Sequence, residues 1–435
     1  MANFRTRTTL VAAGLLMAAP GTAWAVRVDY ELDAGIEHND NVTLTPVDPI
    51  DVYIGRAGLG FGISQDSSTV QASVFGRVEY RNYQDDVYDD SVDGTLTGRL
   101  NWVILPERLA FTVQDDLSLQ SVNTLAADVP GNRQQVNVFS AGPTLLFNFT
   151  QTLDGVVDLR YINSDAEVTD EFNSQRVQLA LRAIKELSPT SRLSFNVQAQ
   201  QVDFDDDITA RDYNRYDAYA RYAQTLARFD LGLDVGYSRL DYDHGYPDRS
   251  DPLLRADVGW RPSERNHFTL SASSQFSDTA ADAMTGIDPG EDSIPGSIST
   301  GDSVVNASPY EERRVELDYT LTTPRTTLTF MPYVQQLRYV ESDQFDQNGD
   351  GLRVDVSWLA SPRLRLGAYA TLERIDYLNL NREDRTRRYG VNLTRQWTQK
   401  LSSRLEYSRY ERESTAVGED ANQNILYLSL IYSNR

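Results

Sequence analysis

Residues 229–238 read FDLGLDVGYS, in which apolar residues alternate with aspartate, glycine or serine without a break. Successive side chains of a β-strand point to opposite faces, so this stretch would have one fully apolar face and one polar face. A strand of this kind fits a wall between an apolar medium and water. The interpretation of the rest of the chain depends on whether the pattern recurs.

The alternation recurs along nearly the whole chain, and no comparable stretch shows a convincing helical period of 3.6 residues. Many of the alternating segments begin or end in Tyr, Trp or Phe. Clear examples are residues 177–183, 193–200, 254–260, 268–276, 352–358, 364–372 and 426–432. The sequence therefore predicts an all-β protein.

The connections between these segments alternate between short and long. The short ones carry Pro, Ser, Thr or Arg and lie at residues 105–108, 188–191, 262–265, 323–325 and 361–363. The long ones are acidic and lie at residues 84–91, 122–133, 165–174, 203–214, 241–251, 278–308, 341–350 and 414–422. This layout predicts a transmembrane up-and-down antiparallel β-barrel of about 18–20 strands, with short periplasmic turns and long acidic extracellular loops.

Composition limits the function classes. The chain has 435 residues, 63 acidic and 41 basic side chains, a formal net charge of −22 and no cysteine. The acidity argues against nucleic-acid binding, and the missing cysteine excludes disulfides, thiol chemistry and cysteine-based metal sites. The mean hydropathy is negative, which excludes helical membrane spans but not strands, since only one face of a barrel strand is apolar.

The N-terminus has the features of a secretory signal peptide. Arg5 and Arg7 precede an apolar run over residues 10–19, and Ala23 and Ala25 form a small-residue cleavage site. We expect residues 1–25 to be cleaved and residues 26–435 to form a single outer-membrane barrel domain. A soluble β-sandwich would also alternate, but one core rarely serves about 400 residues without a linker.

The C-terminal segment 425–432 reads ILYLSLIY. It resembles the C-terminal insertion signal of outer-membrane barrels, although it lacks glycine and three residues follow its last tyrosine. The resemblance implies recognition by the barrel-assembly machinery. Further expected partners are outer-membrane lipid and lipopolysaccharide. The predicted location is the outer membrane of a Gram-negative bacterium.

The polar face of the strands would line a water-filled lumen of mixed charge. Such charges either form a channel for hydrated solutes or fill the interior with salt bridges, and the residue types leave both interpretations open. The predicted lumen-facing residues are Arg160, Arg182, Asp230, Asp234, Arg255, Asp257, Arg353, Asp355, Arg363, Arg365, Arg404 and Glu406.

Catalytic chemistry is weakly represented. The only three histidines are His38, His244 and His267, and none lies mid-strand beside an evident serine partner, so no enzyme is predicted. Asp346, Asn348 and Asp350 fit the start of a calcium-binding loop, but Ser357 replaces its bidentate glutamate. Calcium is thus the one candidate cofactor, and a polar turn between strands is the competing interpretation.

The layout resembles outer-membrane β-barrels of the "β-barrel porin 2" type, which are associated with exopolysaccharide biosynthesis and export loci. The resemblance rests on an aromatic strand at 30–36 followed by Asn-Asp-Asn-Val at 39–42, and on Ser-Pro turns at 188–189 and 361–364. It implies a passive component of polysaccharide export or surface-polymer assembly, with periplasmic export components as partners. It implies no catalytic residues.

Three functions therefore remain open from the sequence. The first is a passive channel or component for export or assembly of surface or exopolysaccharide. The second is a general or substrate-selective diffusion porin for small solutes. The third is a non-conducting surface barrel with adhesive acidic loops. The connection 278–308 bears on all three, since it either folds into the lumen or stays outside.

Overall fold

The computed structural model describes residues 26–206, 210–243, 246–285, 300–301 and 304–434. The predicted signal peptide, residues 1–25, lies outside the described residues. No helix among the described residues is long and apolar enough to span a membrane. The helical elements described are α1 (Thr279–Thr285) and short 3-10 turns.

The described residues form one sheet of 21 strands. All strands except the two-residue β14 build the wall, which gives a closed antiparallel barrel of 20 strands. The strands are β1 (Arg27–Asn39), β2 (Val52–Asp66), β3 (Val70–Tyr83), β4 (Ser91–Leu105), β5 (Leu109–Ser121), β6 (Arg133–Thr150), β7 (Leu153–Ala166), β8 (Ser174–Ser188), β9 (Ser191–Phe204), β10 (Tyr213–Thr225), β11 (Phe229–Tyr242), β12 (Arg249–Ser263), β13 (Asn266–Ser277), β14 (Thr300–Gly301), β15 (Tyr310–Thr322), β16 (Thr326–Tyr339), β17 (Gln347–Ser361), β18 (Leu364–Tyr377), β19 (Arg382–Gln396), β20 (Leu401–Ser414) and β21 (Ala421–Ser433).

The barrel closes by pairing its first and last long strands. Strand β1 pairs with β2 on one side and with β21 on the other, where Glu37 faces Tyr427 and Asp33 faces Ile431. Closure leaves no unpaired edge in the wall. The predicted fold class, an up-and-down antiparallel barrel of about 18–20 strands, is confirmed. The segment 425–432 lies in β21 and thus forms half of the closing seam.

The outward face of the wall is apolar and exposed. Exposed side chains on it include Ile36, Val235, Leu428 and Leu430, which are 62, 51, 57 and 60% exposed. A soluble protein seldom exposes so continuous an apolar surface. The face therefore suits contact with lipid.

Aromatic rows border this apolar face at both edges. Near the short turns, the rings of Phe229, Trp260, Phe268 and Tyr319 follow one another with centroids 6.1, 5.3 and 4.5 Å apart. Near the long connections, the exposed outward tyrosines are Tyr53, Tyr80, Tyr161, Tyr216, Tyr237, Tyr389 and Tyr407. Aromatic rows at both edges of an apolar band are typical of the two interfaces of a membrane barrel.

The separation of the two rows matches a bilayer. Phe229 and Tyr237 are both on β11 and lie eight residues apart. That spacing corresponds to about 26 Å along a strand, or about 20 Å along the barrel axis at a tilt of about 40°. The apolar band of membrane barrels is about 25 Å tall. The separation of the two rows is therefore close to the height of such a band and slightly below it.

Several connections are shorter than the sequence predicted. Strand β12 begins at Arg249 and β17 begins at Gln347, so parts of the predicted connections 241–251 and 341–350 are strand. Polar cross-strand contacts stabilise these extensions, for example Arg338 Nη2 donating to Asn348 Oδ1 at 2.7 Å. Strand pairing thus continues beyond the apolar band, where hydrophobic alternation no longer marks it.

Candidate functional site in the barrel lumen

Strand register defines one continuous inward face around the barrel, and most of the predicted lumen residues lie on it. These are Arg160, Arg182, Asp230, Asp234, Arg255, Asp257, Arg353, Asp355, Arg365, Arg404 and Glu406. Arg363 is the exception, because it lies in the turn between Ser361 and Leu364, where strand pairing ends, and its predicted inward direction stays a prediction. The alternation of side-chain directions holds along a strand, but it does not set the direction of a side chain in a tight turn.

Contacts across the barrel show which face is inward. Arg382 on β19 donates to the carbonyl oxygen of Leu125 at 2.6 Å, and Arg412 on β20 donates to those of Leu125 and Ala126 at 2.9 Å. Leu125 and Ala126 belong to the connection that follows β5, and five strands of the wall separate β5 from β20. These contacts can form only through the interior. The connection 122–132 is therefore folded into the mouth of the lumen.

Ion pairs line much of the inward face. Arg353 Nε lies 2.7 Å from Asp355 Oδ2 on the same strand. The buried Asp234 lies 3.4 Å from both Arg221 and Arg255 on the flanking strands. Pairs two residues apart on one strand, and pairs between neighbours, both follow from the shared inward face. The interior therefore contains salt bridges, as expected if the charged residues fill the barrel interior.

The densest of these ion-pair networks was not predicted from the sequence. It joins Asp33, Glu37, Arg56, Arg77 and Glu79 on β1–β3. Arg77 lies 2.8 Å from Asp33 and 3.0 Å from Glu79, and Arg56 lies 2.7 Å from Glu37 and 2.9 Å from Glu79. Arg77 and Glu79 side chains are 1% and 0% exposed.

A glycine on the neighbouring strand makes room for this network. A Cβ at Gly58 would overlap the Arg77 guanidinium. Gly58, Gly60 and Gly62 all lie on the inward face of β2, opposite β3 residues in register. The network could have been found by extending the alternation through residues 70–83 and noting the small side chains opposite.

The connection between β13 and β15 folds into the lumen. Asp278 lies directly after β13, and its carboxylate lies 2.7 Å from Arg176 Nη1 on β8 and accepts from Tyr213 Oη on β10 at 3.3 Å. The same carboxylate accepts from the backbone N–H groups of Ala280 and Ala281. Four wall strands separate β13 from β8. Asp278 therefore anchors the start of α1 to strands about a quarter of the way round the barrel, near the ends of the strands that join the long connections.

Apolar contacts continue this inward path. Ala280 of α1 and Val305 pack against Val136, Val138 and Ile162, which lie on β6 and β7. Between those two contact points, β14 pairs in parallel with Leu119 and Gln120 of β5. The described parts of the connection therefore cross the lumen. Of the two arrangements left open by the sequence, these residues adopt the inward one.

A passage remains along one side of these infolded segments. It is a pocket of about 210 Å³, lined on its charged side by Arg56, Arg81, Arg133, Arg388, Arg404, Glu37, Asp128 and Glu406. Tyr83, Tyr369, Tyr410 and Tyr427 also line it. A smaller pocket of about 90 Å³ adjoins it at Asp128, Arg388 and Tyr410. A polar, arginine-containing space therefore lies beside the infolded segments.

Asp282 gives the packing of α1 a pH dependence. The pKa of this carboxyl is raised from 3.8 to about 6, and burial is the largest cause. The hydroxyls of Ser277 and Tyr310 oppose the rise, and the charges of Glu312 and Asp278 add to it. Because the packed pKa is the higher one, the stabilisation from Asp282 is complete below pH 3.8 and is lost as pH rises through about 6.

We therefore expect α1 to open more often at pH 8 than at pH 5.5. Hydrogen exchange in residues 279–285, corrected for intrinsic rates, should become several-fold faster across this interval. Asp282→Asn should remove the change, since the amide does not titrate. Burial raises the pKa of Asp278, but Arg176 more than offsets this and the net shift is downward, so Asp278 stays ionised in both conditions. An unchanged exchange rate in the native protein would contradict the role of Asp282.

The proposed calcium ligands lie mostly in a strand. Asn348 and Asp350 are in β17, and Asn348 already accepts from Arg338. Asp346 precedes the strand and accepts from the backbone N–H of Tyr339 at 2.7 Å. This extended geometry differs from the wrapped loop that the pattern predicts.

Calcium binding at these residues stays a prediction that a thermal shift can test. A calcium-induced rise in melting temperature that disappears in the Asp346→Ala, Asp350→Ala double variant would support the site. Equal responses in the native and variant proteins would overturn the site and favour the polar turn, the competing interpretation. A chelator-treated sample provides the baseline.

The two described histidines are far apart in the wall. His38 lies on the outward face of β1 and its Nε2 is 2.9 Å from Asp51. His267 lies on the inward face of β13, beside Thr269 at 3.1 Å. His244 falls outside the described residues. His38 and His267 therefore cannot share an active site.

No family model and no curated protein matches the sequence. Solved structures with a similar fold include the FrpB iron transporter from Neisseria meningitidis, with 9% identity, 93% of this chain and 82% of that chain covered, and a TM-score of 0.49. The ferric enterobactin receptor PfeA from Pseudomonas aeruginosa shows 11% identity, 94% and 80% coverage, and a TM-score of 0.47. OccK2 (OpdF) from Pseudomonas aeruginosa shows 10% identity, 94% and 98% coverage, and a TM-score of 0.39.

Proposed function

We propose that this protein is a passive, selective diffusion channel of the bacterial outer membrane for small hydrated solutes. The apolar outer face between two aromatic rows supports the membrane location. The observation that carries the channel proposal is the inward path of the connection after β13, which crosses the lumen with a polar pocket beside it.

The anchoring of that connection favours selective diffusion over a wide pore. A barrel of 20 strands is expected to enclose an aqueous lumen unless other segments fill it. Here the Asp278–Arg176 pair and the apolar contacts of α1 fix a segment in that space. A constriction held by a buried ion pair would exclude large solutes while water and small solutes pass beside it.

Export of a polysaccharide is the second candidate. The short-motif resemblance and the tyrosines of the passage, Tyr369, Tyr410 and Tyr427, support it, since aromatic faces pack against sugar rings. A polymer would require displacement of the infolded segments. A non-conducting surface barrel is the third candidate. Recognition of 425–432 by the assembly machinery, and contacts with lipopolysaccharide and with export components, remain proposals that accompany the membrane location.

Planar-bilayer recording on the purified full-length barrel tests the proposal. We expect stable conductance steps, with entry of neutral polyethylene glycols limited to small polymers. Block by soluble polysaccharide, with large polyethylene glycols also entering, would favour the export candidate instead. Silence from a barrel that shows heat-modifiable gel mobility would overturn both channel candidates and favour the surface role.

A further inference from the structure

We propose that Arg404 is the central contact of a binding site for small organic carboxylates within the residual passage. This inference deepens the proposed function and rests on it, because a site in the lumen selects solutes only if the lumen conducts. The juxtaposition that carries it is an unpaired arginine in a pocket whose other arginines are already paired with carboxylates.

Arg404 lies on the inward face of β20, opposite Ser429 of β21 and Thr394 of β19. Among the described residues it forms no side-chain hydrogen bond or ion pair, and its Nε is buried without a partner. This Nε–H donor has lost water contacts without gaining a protein acceptor, while the rest of the half-buried side chain is not enclosed. A ligand carboxylate would supply the missing acceptor through a charge-assisted, two-point contact.

The neighbouring arginines of the pocket are in a different state. Arg56 is paired with Glu37 and Glu79, and its guanidinium lies 4.2 Å from the ring centre of Tyr427. Arg133 is 2.7 Å from Asp128. The positive charges of Arg56 and Arg133 are therefore compensated by carboxylates, although the Nε of Arg56 also has no hydrogen-bond partner. Arg404 differs from them because no described carboxylate lies within ion-pair distance of its guanidinium.

The pocket also limits the kind of anion. Its volume of about 210 Å³ is below the range of roughly 300–1,000 Å³ typical of sites for drug-sized ligands. Tyr369, Ser408 and Gln423 line it and offer hydroxyl and amide groups. Glu406 lies two residues from Arg404 on the same face and disfavours multiply charged anions. A small monocarboxylate that carries hydroxyl groups fits these features best.

Gluconate and sorbitol form a suitable probe pair, since they differ chiefly in the carboxylate. Binding is measured by ¹³C line broadening or calorimetry on the full-length barrel in detergent, which needs no conductance. We expect the native protein to bind gluconate with a Kd of about 1 mM and Arg404→Gln to weaken this at least about tenfold. Arg404→Lys should retain part of the affinity, and sorbitol binding should not change.

Arg99→Gln is the matched control. Arg99 lies on the inward face of β4, is exposed and does not line the pocket, so its loss removes the same lumen charge elsewhere. Equal gluconate affinity in Arg404→Gln and the native protein, equal losses in both variants, or no gluconate binding to the native protein would overturn the site. Heat-modifiable mobility verifies that each variant is folded.

Conductance measured on the same preparations separates the two proposals. Gluconate binding that depends on Arg404 in a silent barrel would support the site and overturn the channel. A conducting barrel without Arg404-dependent binding would overturn the site and leave the channel. Conductance that gluconate, but not sorbitol, reduces in the native protein and not in Arg404→Gln would support both.

Discussion

Replacing residues 279–308 by a short Gly-Ser linker is expected to raise single-channel conductance about threefold or more, because a barrel of this strand number encloses an open aqueous lumen once no segment fills it. The replacement removes α1 and β14, which cross the lumen from β13 to strands β5–β7. It retains Asp278 and all wall strands. Planar-bilayer recording provides the measurement.

The connection 415–420 offers a matched control for this replacement. It lies at the same end of the barrel, and its Glu419 contacts Arg412 and Arg382 only at 3.6 and 4.0 Å. Shortening it to a tight turn should leave the conductance near the native value. Equal conductance of the native protein and the 279–308 replacement would show that the infolded connection does not limit permeation, and the selective-channel proposal would fail.

Glu79→Gln is expected to destabilise the barrel by about 3–5 kcal/mol, since removing one partner leaves buried charges uncompensated. Glu79 lies 2.9 Å from Arg56, 3.0 Å from Arg77 and 2.9 Å from Arg81, and its side chain is fully buried. An amide is neutral and accepts through one oxygen only. Urea unfolding of the barrel in lipid vesicles, followed by tryptophan fluorescence, gives the free energy of unfolding.

Two further variants make this prediction specific to the network. Asp355→Asn removes a carboxylate from the exposed Arg353–Asp355 pair, so we expect a change of no more than about 1 kcal/mol. Arg77→Met combined with Glu79→Gln should be less unstable than the sum of the single variants, because it removes one of the unpaired cations. A loss for Glu79→Gln as small as that for Asp355→Asn would show that water already solvates the network.

Much of the barrel wall was predictable because the direction of each side chain on a strand depends only on its neighbours in the sequence. The alternation at 229–238 places Asp230 and Asp234 inward and the aromatic ring of Phe229 outward, and strand β11 has this arrangement. A period of two sets side-chain direction residue by residue, whatever the partner strands are. The rule does not apply to Arg363, because this residue lies in a turn outside the paired strands. At Gln347 the hydrophobic alternation did not show that the strand had begun, because polar strand pairing continues past the membrane band.

The Arg77–Glu79 network was predictable only in part. Both residues lie on the alternating strand 70–83, so their shared face was available from the sequence. Their burial was not, because it depends on Gly58 and Asp33 from two other strands in the correct register. Register is set by the whole barrel, since a slip of one residue would turn every side chain to the other face.

The sequence by itself therefore determined the two-faced strands, the aromatic edges and the order of short and long connections, since each depends on near neighbours along the chain. Only the tertiary structure decided that the connection after β13 enters the lumen and that Arg404 has no ion-pair partner within the described part of the chain. Asp278 and Arg176 are 102 residues apart in sequence, and no local pattern links them. Closing the barrel brings such distant residues together, and the resulting contacts determine how much of the lumen stays open.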